Sequence, residues 1–203
     1  AAEVEAFVRK LPPHVLAVVD EAYFEYVDDP NHYSLIRMIQ EGYDRPLIVL
    51  RTFSKIYGLA GLRIGYAVAA PALIDEMMKA CQAWNVSRIA SLAATTALDE
   101  QEYVQKVKAE NVKNRKIVYE GLLALGCYAV KPAANFIYFD THRDPKAVSQ
   151  GMTEHGILIS TPNACFNRVT VGTPEQNRDF LKALGDVMKA LPLRDGEAPD
   201  KAV

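Results

Sequence analysis

The densest chemistry in the chain lies between Arg51 and Tyr66, where Arg-Thr-Phe-Ser-Lys-Ile-Tyr-Gly-Leu-Ala-Gly-Leu-Arg-Ile-Gly-Tyr follows an apolar run. Thr52 and Ser54 set hydroxyl donors beside the Lys55 amine, and Arg63 adds a planar guanidinium fork suited to a phosphate. Gly58 and Gly61 give the backbone between them freedom to turn. Such a segment makes an anion site with an amine at its mouth. A lysine near cationic charge loses its proton more readily, which is the state Schiff-base chemistry requires. The bland alternative is a glycine-rich loop with a solvated Lys and Arg.

A second group stands earlier, where Asp20 ends the run Val15-Leu-Ala-Val-Val-Asp20. Open α/β sheets place ligand crevices at such strand ends. A carboxylate there is costly without a cationic partner. Two partners qualify: Mg²⁺, as where a hydrophobic strand precedes Asp-Glu in nucleotide hydrolases, and the protonated ring nitrogen of a heteroaromatic cofactor. A plain strand-end cap by Asp20-Glu21 is the third reading. A nucleotide hydrolase also needs GxxxxGK[ST] to cradle phosphates, and the chain contains no such string.

The elements that must position these residues follow from periodicity. Ala1 to Lys10 reads as the end of an amphipathic helix with Val4, Phe7 and Val8 on one face and no cap before it, so a preceding segment is expected. A strand ending at Asp20, a helix from Ser34 to Gly42, an apolar run from Leu47 to Leu50, a strand from Ile64 to Ala69 and a Pro71-led helix through Trp84 alternate as a mostly parallel sheet with flanking helices would. Val86 to about Leu125 is helical in pattern and stops at Gly126. Short strands at Tyr128 to Val130, Phe136 to Phe139, Ile157 to Ile159 and Val169 to Val171, with helices at Pro145 to His155 and Pro174 to Leu191, predict a second α+β unit. The tail from Arg194 to Val203 reads as disordered.

Composition narrows the function classes. Of 203 residues half are apolar and 24% charged, which excludes a disordered or collagen-like chain. Lys and Arg number 23 against 25 Asp and Glu, so no basic field favours nucleic acid or an anionic membrane. The apolar runs fall far short of the roughly 20 residues a spanning helix needs. Three widely spaced cysteines, Cys81, Cys127 and Cys165, read as small core hydrophobes in a reducing, cytoplasmic compartment. His14, His32, His142 and His155 lack metal-ligand spacing, and no metal is expected.

Asp20-Glu-Ala-Tyr23, then Thr52-Phe-Ser-Lys55, then Gly-Leu-Ala-Gly-Leu-Arg63-Ile-Gly-Tyr together resemble the core of fold-type I pyridoxal-phosphate (PLP) aminotransferases, within them most of all the histidinol-phosphate aminotransferases. The resemblance runs from Ala1 to about Pro192. It implies an α/β chain of the aspartate aminotransferase fold, with a mostly parallel sheet in a large domain and a smaller α+β C-terminal domain. On that reading 1–85 are the C-terminal part of the large domain, 86–125 connecting helices, 126–192 the small domain and 193–203 a tail. Lys55 would join the cofactor as a Schiff base and shuttle the proton, and Asp20 would keep the pyridinium nitrogen protonated. Tyr23 would hydrogen-bond the ring's phenolic oxygen, while Thr52, Ser54 and Arg63 would hold the phosphate. Asn167-Arg168-Val-Thr-Val-Gly-Thr-Pro-Glu matches the segment whose arginine, here Arg168, clamps the substrate's anionic group, whereas Asn135 reads as structural.

The implied activity is ping-pong transfer of an amino group between a donor, histidinol phosphate or an amino acid, and a 2-oxo acid, in a homodimer with shared sites. A decarboxylase of the threonine-phosphate type, an aromatic amino acid aminotransferase and a cofactor-free scaffold are the alternatives. Two departures stand out. The family's N-terminal portion, with its phosphate-binding turn, its Asn-containing loop and the Tyr given to the neighbouring subunit, is not in this chain. Histidinol-phosphate enzymes also commonly carry a second arginine just after the strand matching Gly156-Ile-Leu-Ile159, and here that residue is Ser160.

Overall fold

A computed structural model describes residues 1–194. The chain divides into two compact units, Ala1–Val107 and Lys108–Val203. In the first, α1 (Ala2–Lys10) precedes β1 (Ala17–Asp20), α2 (Ile36–Gln40), β2 (Leu47–Thr52), β3 (Gly65–Ala69), α3 (Pro71–Ala80) and α4 (Arg88–Asp99). A long helix, α5 (Gln101–Ala124), begins in this unit and continues into the next.

The apolar run of β2 is buried at Leu47, Ile48 and Val49, and Val8, Ala17, Leu35 and Met38 close over Leu47 and Val49. β1 and β2 pair in parallel, Ala17 opposite Leu47 through Asp20 opposite Leu50. β3 departs from the mostly parallel expectation: it runs antiparallel to β2, Ile48 opposite Ala69 through Thr52 opposite Gly65. The connection from Phe53 to Ile64 holds only a single short 3-10 turn, Ala60–Leu62, and no crossover helix to bring the chain back parallel.

Two helical boundaries shift from those expected. α3 ends at Ala80 rather than Trp84, because Cys81 is extended and Trp84 takes a left-handed φ of 61°. The helical stretch after Val86 is two helices, with the Ser87 hydroxyl capping α4 by accepting from Ala90 N (3.1 Å) and Glu100 leaving helical geometry before α5.

The second unit contains an antiparallel sheet ordered β4 (Tyr128–Ala129), β5 (Phe136–Asp140) and β6 (Asn167–Thr170), with α6 (Pro145–Glu154) and α7 (Pro174–Ala190). Its core joins Val118 and Leu122 of α5 to Ile137, Phe139, Val148, Met152, Phe180 and Leu184. Thr173 and Gln176 form a capping box at the start of α7.

Ile157 to Ile159, expected as a strand, is not one. Gly156 turns left-handed at φ 75° and Ile157 N donates back to Met152 O (2.9 Å), so that residue closes α6 and pairing begins only at Ser160. Arg194, expected to start a disordered tail, is held by Asp140 Oδ2 at 2.6 Å and by donating its N–H to His142 O at 2.9 Å. The rest of that expected tail lies outside the described residues. No helix among the described residues is long and apolar enough to cross a membrane.

Candidate active site

The site grows from the end of the parallel pair β1–β2. β1 stops at Asp20, whose Oδ1 accepts from Ala22 N (2.9 Å) and turns the chain away from the sheet. Glu21 N still donates to Leu50 O (2.9 Å), and then a loop carries Tyr23 into the short turn Phe24–Tyr26. β2 continues to Thr52, whose Oγ1 accepts from Ser54 N (3.0 Å) and folds the next residues back.

Lys55 is fixed by its neighbours. Phe53 and Ile56 are both buried, and Lys55 lies between them in sequence, half-buried, with Nζ 4.9 Å from the centre of the Tyr23 ring. Gly58 N closes the turn on Lys55 O (2.9 Å) at a left-handed φ of 71°. Arg63 is left-handed too (φ 53°, ψ 51°), an uncommon conformation for a residue with a Cβ and a frequent mark of functional loops. One of its guanidinium nitrogens donates to Ala60 O (2.8 Å), leaving other N–H groups free to turn outward.

These pieces meet around a cavity of about 300 Å³ lined by Asp20, Thr52, Ser54, Lys55 and Arg63 with Ala22, Leu50 and Arg51. Five of the residues singled out from sequence therefore share one wall. Tyr23 is not on that lining and reaches the site through its ring beside Lys55. Arg168 belongs to the second unit, on β6, with its guanidinium 5.2 Å from the Phe136 ring and its backbone bracketing Ser160 (N to O distances 2.8 and 3.0 Å).

Sequence reasoning passed over the cluster behind this wall. Arg51 donates through Nε to Glu21 (2.8 Å) and through Nη1 to Glu25 (2.9 Å), while Glu21 also accepts from Ser34 Oγ (2.6 Å) and Leu35 N (2.8 Å). A signal existed, since a guanidinium at the end of an otherwise apolar strand demands an acidic partner. Around it, burial pushes the Tyr26 phenol up to about 12 and raises Tyr57 and Tyr66, so all three stay protonated donors near neutral pH.

The donor set of the cavity fits a ligand with three features. Two hydroxyls and a guanidinium suit a phosphate, a carboxylate suits a protonated ring nitrogen, and a primary amine suits a carbonyl carbon. Asp20 and Lys55 both line the cavity, and behind them Arg51 pairs with Glu21 and Glu25. The cavity volume falls at the low end of the roughly 300–1,000 Å³ usual for small-molecule sites.

Solved aminotransferase structures share the α/β fold of this chain, among them an aspartate aminotransferase double mutant from Thermus thermophilus, with a TM-score of 0.79 at 26% identity, covering 92% of this chain and 52% of that one. The sequence pattern described as aminotransferase class I and II matches residues 1–184, and the chain belongs to that family. The histidinol-phosphate aminotransferase of Moorella thermoacetica is 37% identical over 191 residues, covering 92% of this chain and 49% of that protein. Histidinol-phosphate aminotransferase 1 of Nitrosococcus oceani is 39% identical over 193 residues, covering 92% and 51%. The structure of histidinol-phosphate aminotransferase from Sinorhizobium meliloti in complex with pyridoxal-5'-phosphate superimposes with a TM-score of 0.84 at 31% identity, covering 94% of this chain and 53% of that one. The chain thus spans about half the length of the curated relatives it matches.

Proposed function

We propose that this chain is the lysine-bearing part of a PLP-dependent aminotransferase that moves an amino group between an amino donor and a 2-oxo acid. The observation that carries the reading is the gathering of Asp20, Thr52, Ser54, Lys55 and Arg63 around one cavity. When bound, PLP supplies an electron sink for the carbanion formed at the substrate's α-carbon. Asp20 holds a proton on the ring nitrogen through its carboxylate. Thr52, Ser54 and Arg63 hold the phosphate. Lys55 Nζ would hold the cofactor covalently and, once the substrate's amine displaces it, would as a free amine carry the proton to and from the substrate α-carbon. Tyr23 donates its hydroxyl to the ring's phenolic oxygen, and Arg168 takes the substrate's anionic group.

The names of the curated relatives support histidinol phosphate as the amino donor. Ser160 stands across from Arg168 where a second guanidinium would strengthen a phosphate site, so aromatic amino acids are the donors to screen beside it. A homodimer with shared sites completes the proposal. Of the three cysteines expected in the core, Cys127 is buried whereas Cys81 and Cys165 are exposed, and as free thiols they fit a reducing, cytoplasmic compartment.

The test is the visible absorbance of the full-length protein before and after borohydride, with peptide mapping. A pyridoxyl group on Lys55, and Lys55→Ala losing both the label and amino transfer, is the expected result. A Lys55→Ala variant that transfers amino groups at the wild-type rate ends the proposal.

A further inference from the structure

We propose that Arg51 is a positioning residue, holding the loop that carries Tyr23 in a fixed orientation against the loop that carries Lys55. The inference rests on the PLP reading of the cavity given above.

The parallel ladder between β1 and β2 ends with Asp20 opposite Leu50, and its final bond is Glu21 N to Leu50 O. Asp20 stands at that end, and other residues proposed to touch the cofactor come after it, Tyr23 on one loop, Thr52 at the last position of β2, and Ser54 and Lys55 on the loop that follows. There the tie between the two passes to side chains. A single Arg51 guanidinium grips Glu21 and Glu25, the two ends of a five-residue segment with Tyr23 at its middle, and lies 3.9 Å over the Phe24 ring. Glu21 is itself anchored by Ser34 and Leu35 at the start of α2, so the grip leads back to the folded core.

The cluster is nearly dry, with side-chain exposures of 9% for Arg51 and Glu21 and 14% for Glu25. Screening by water is therefore weak, and the geometry of the fork is preserved. Apolar packing also joins the loops, since Tyr26 and Ile56 share a small buried cluster with Val104 and with Tyr23 at its edge. Such packing is non-directional and tolerates sliding. Two charge-assisted hydrogen bonds from one planar group do not, and they set the angle at which Tyr23 meets Lys55. A lysine at position 51 would keep the charge and lose that fork.

The experiment uses the full-length protein as wild type, Arg51→Lys and Glu25→Gln. Hydrogen exchange of the amides from 22 to 26 is measured on the PLP-free form, and PLP affinity by titration of the visible band. For Arg51→Lys we expect exchange in the loop at least tenfold faster, with β1 and β2 unchanged, and PLP binding at least tenfold weaker. Glu25→Gln, which retains the Arg51–Glu21 pair and leaves no lone buried charge, is expected to weaken PLP three- to tenfold and speed exchange at the Glu25 end. It decides the matter if Arg51→Lys does not fold.

Faster loop exchange with wild-type PLP affinity overturns the proposal, because the grip then serves stability alone. Weaker PLP with unchanged loop exchange overturns it too, because Arg51, which lines the cavity, would then act by direct contact. A wild-type protein that takes up no PLP removes the proposed function, while the exchange measurement still decides whether Arg51 holds the loop.

Discussion

Gly65 opens β3 opposite Thr52, and a Cβ at that position would meet the Arg51 carbonyl oxygen at 2.7 Å and Thr52 Cα at 3.5 Å. The near atom is backbone in a paired strand, so it cannot swing aside as a side chain would. Gly65→Ala must then part β2 from β3 by roughly half an ångström to restore normal contact. Overpacking of this kind costs about 1–3 kcal/mol. The displaced peptide links Arg51 to Thr52, so the same movement shifts the hydroxyl at the anion end of the cavity and the guanidinium behind it. If about 1.4 kcal/mol of the strain falls on the bound geometry, PLP binds tenfold more weakly. Urea unfolding of the PLP-free protein reads the first effect and titration of the visible band the second. Gly61→Ala is the control: no atom lies within 4 Å of its added Cβ, and it should stay within about 0.5 kcal/mol of wild type. A Gly65→Ala protein as stable as Gly61→Ala, with wild-type PLP affinity, would refute the reasoning.

The remaining predictions concern three other residues. Arg63→Gly removes a left-handed residue with a Cβ, so the PLP-free protein should be unchanged or up to about 1 kcal/mol more stable while PLP binds at least tenfold more weakly; unchanged affinity would take Arg63 out of the phosphate end. Burial beside the Phe24 ring, 4.9 Å away, holds His32 below the ordinary histidine value. The unfolded chain therefore takes up a proton first as pH falls through about 6.5, so stability present above that pH is lost below it. His32→Gln should flatten this acid-side fall in the unfolding midpoint, and an unaltered slope would show that His32 does not cause it. Burial pushes the Cys127 thiol up to about 12, so at pH 8 a disulfide reagent should label the exposed Cys81 and Cys165 in the native protein and Cys127 only after denaturant. Native labelling of Cys127 at a comparable rate would contradict its burial.

The site was legible in one dimension because its chemistry is local. Asp20 closes an apolar run, Thr52, Ser54 and Lys55 lie within four residues, and Arg63 follows two glycines, so residue types at short spacing nominate candidates, and the resemblance joined them into the set that lines one cavity. Many element types were legible for the same reason, since hydrophobic periodicity and marks such as Pro71 at a first helical turn and Gly126 at a helix end act within a few residues.

What sequence alone determined, then, is which groups the molecule offers and which segments carry them. Tertiary structure decided the rest wherever the partner is distant in the chain. The antiparallel direction of β3 depends on how the chain between Phe53 and Ile64 returns, and the loss of the strand at Ile157 on whether its N–H is taken by the end of α6. The grip of Arg51 on Glu21 and Glu25, and of Arg194 on Asp140, joins residues 26 to 54 positions apart. No local pattern encodes such pairings: an ion finds its counterion only once the core has brought the strands together, and desolvation then makes each pair obligatory.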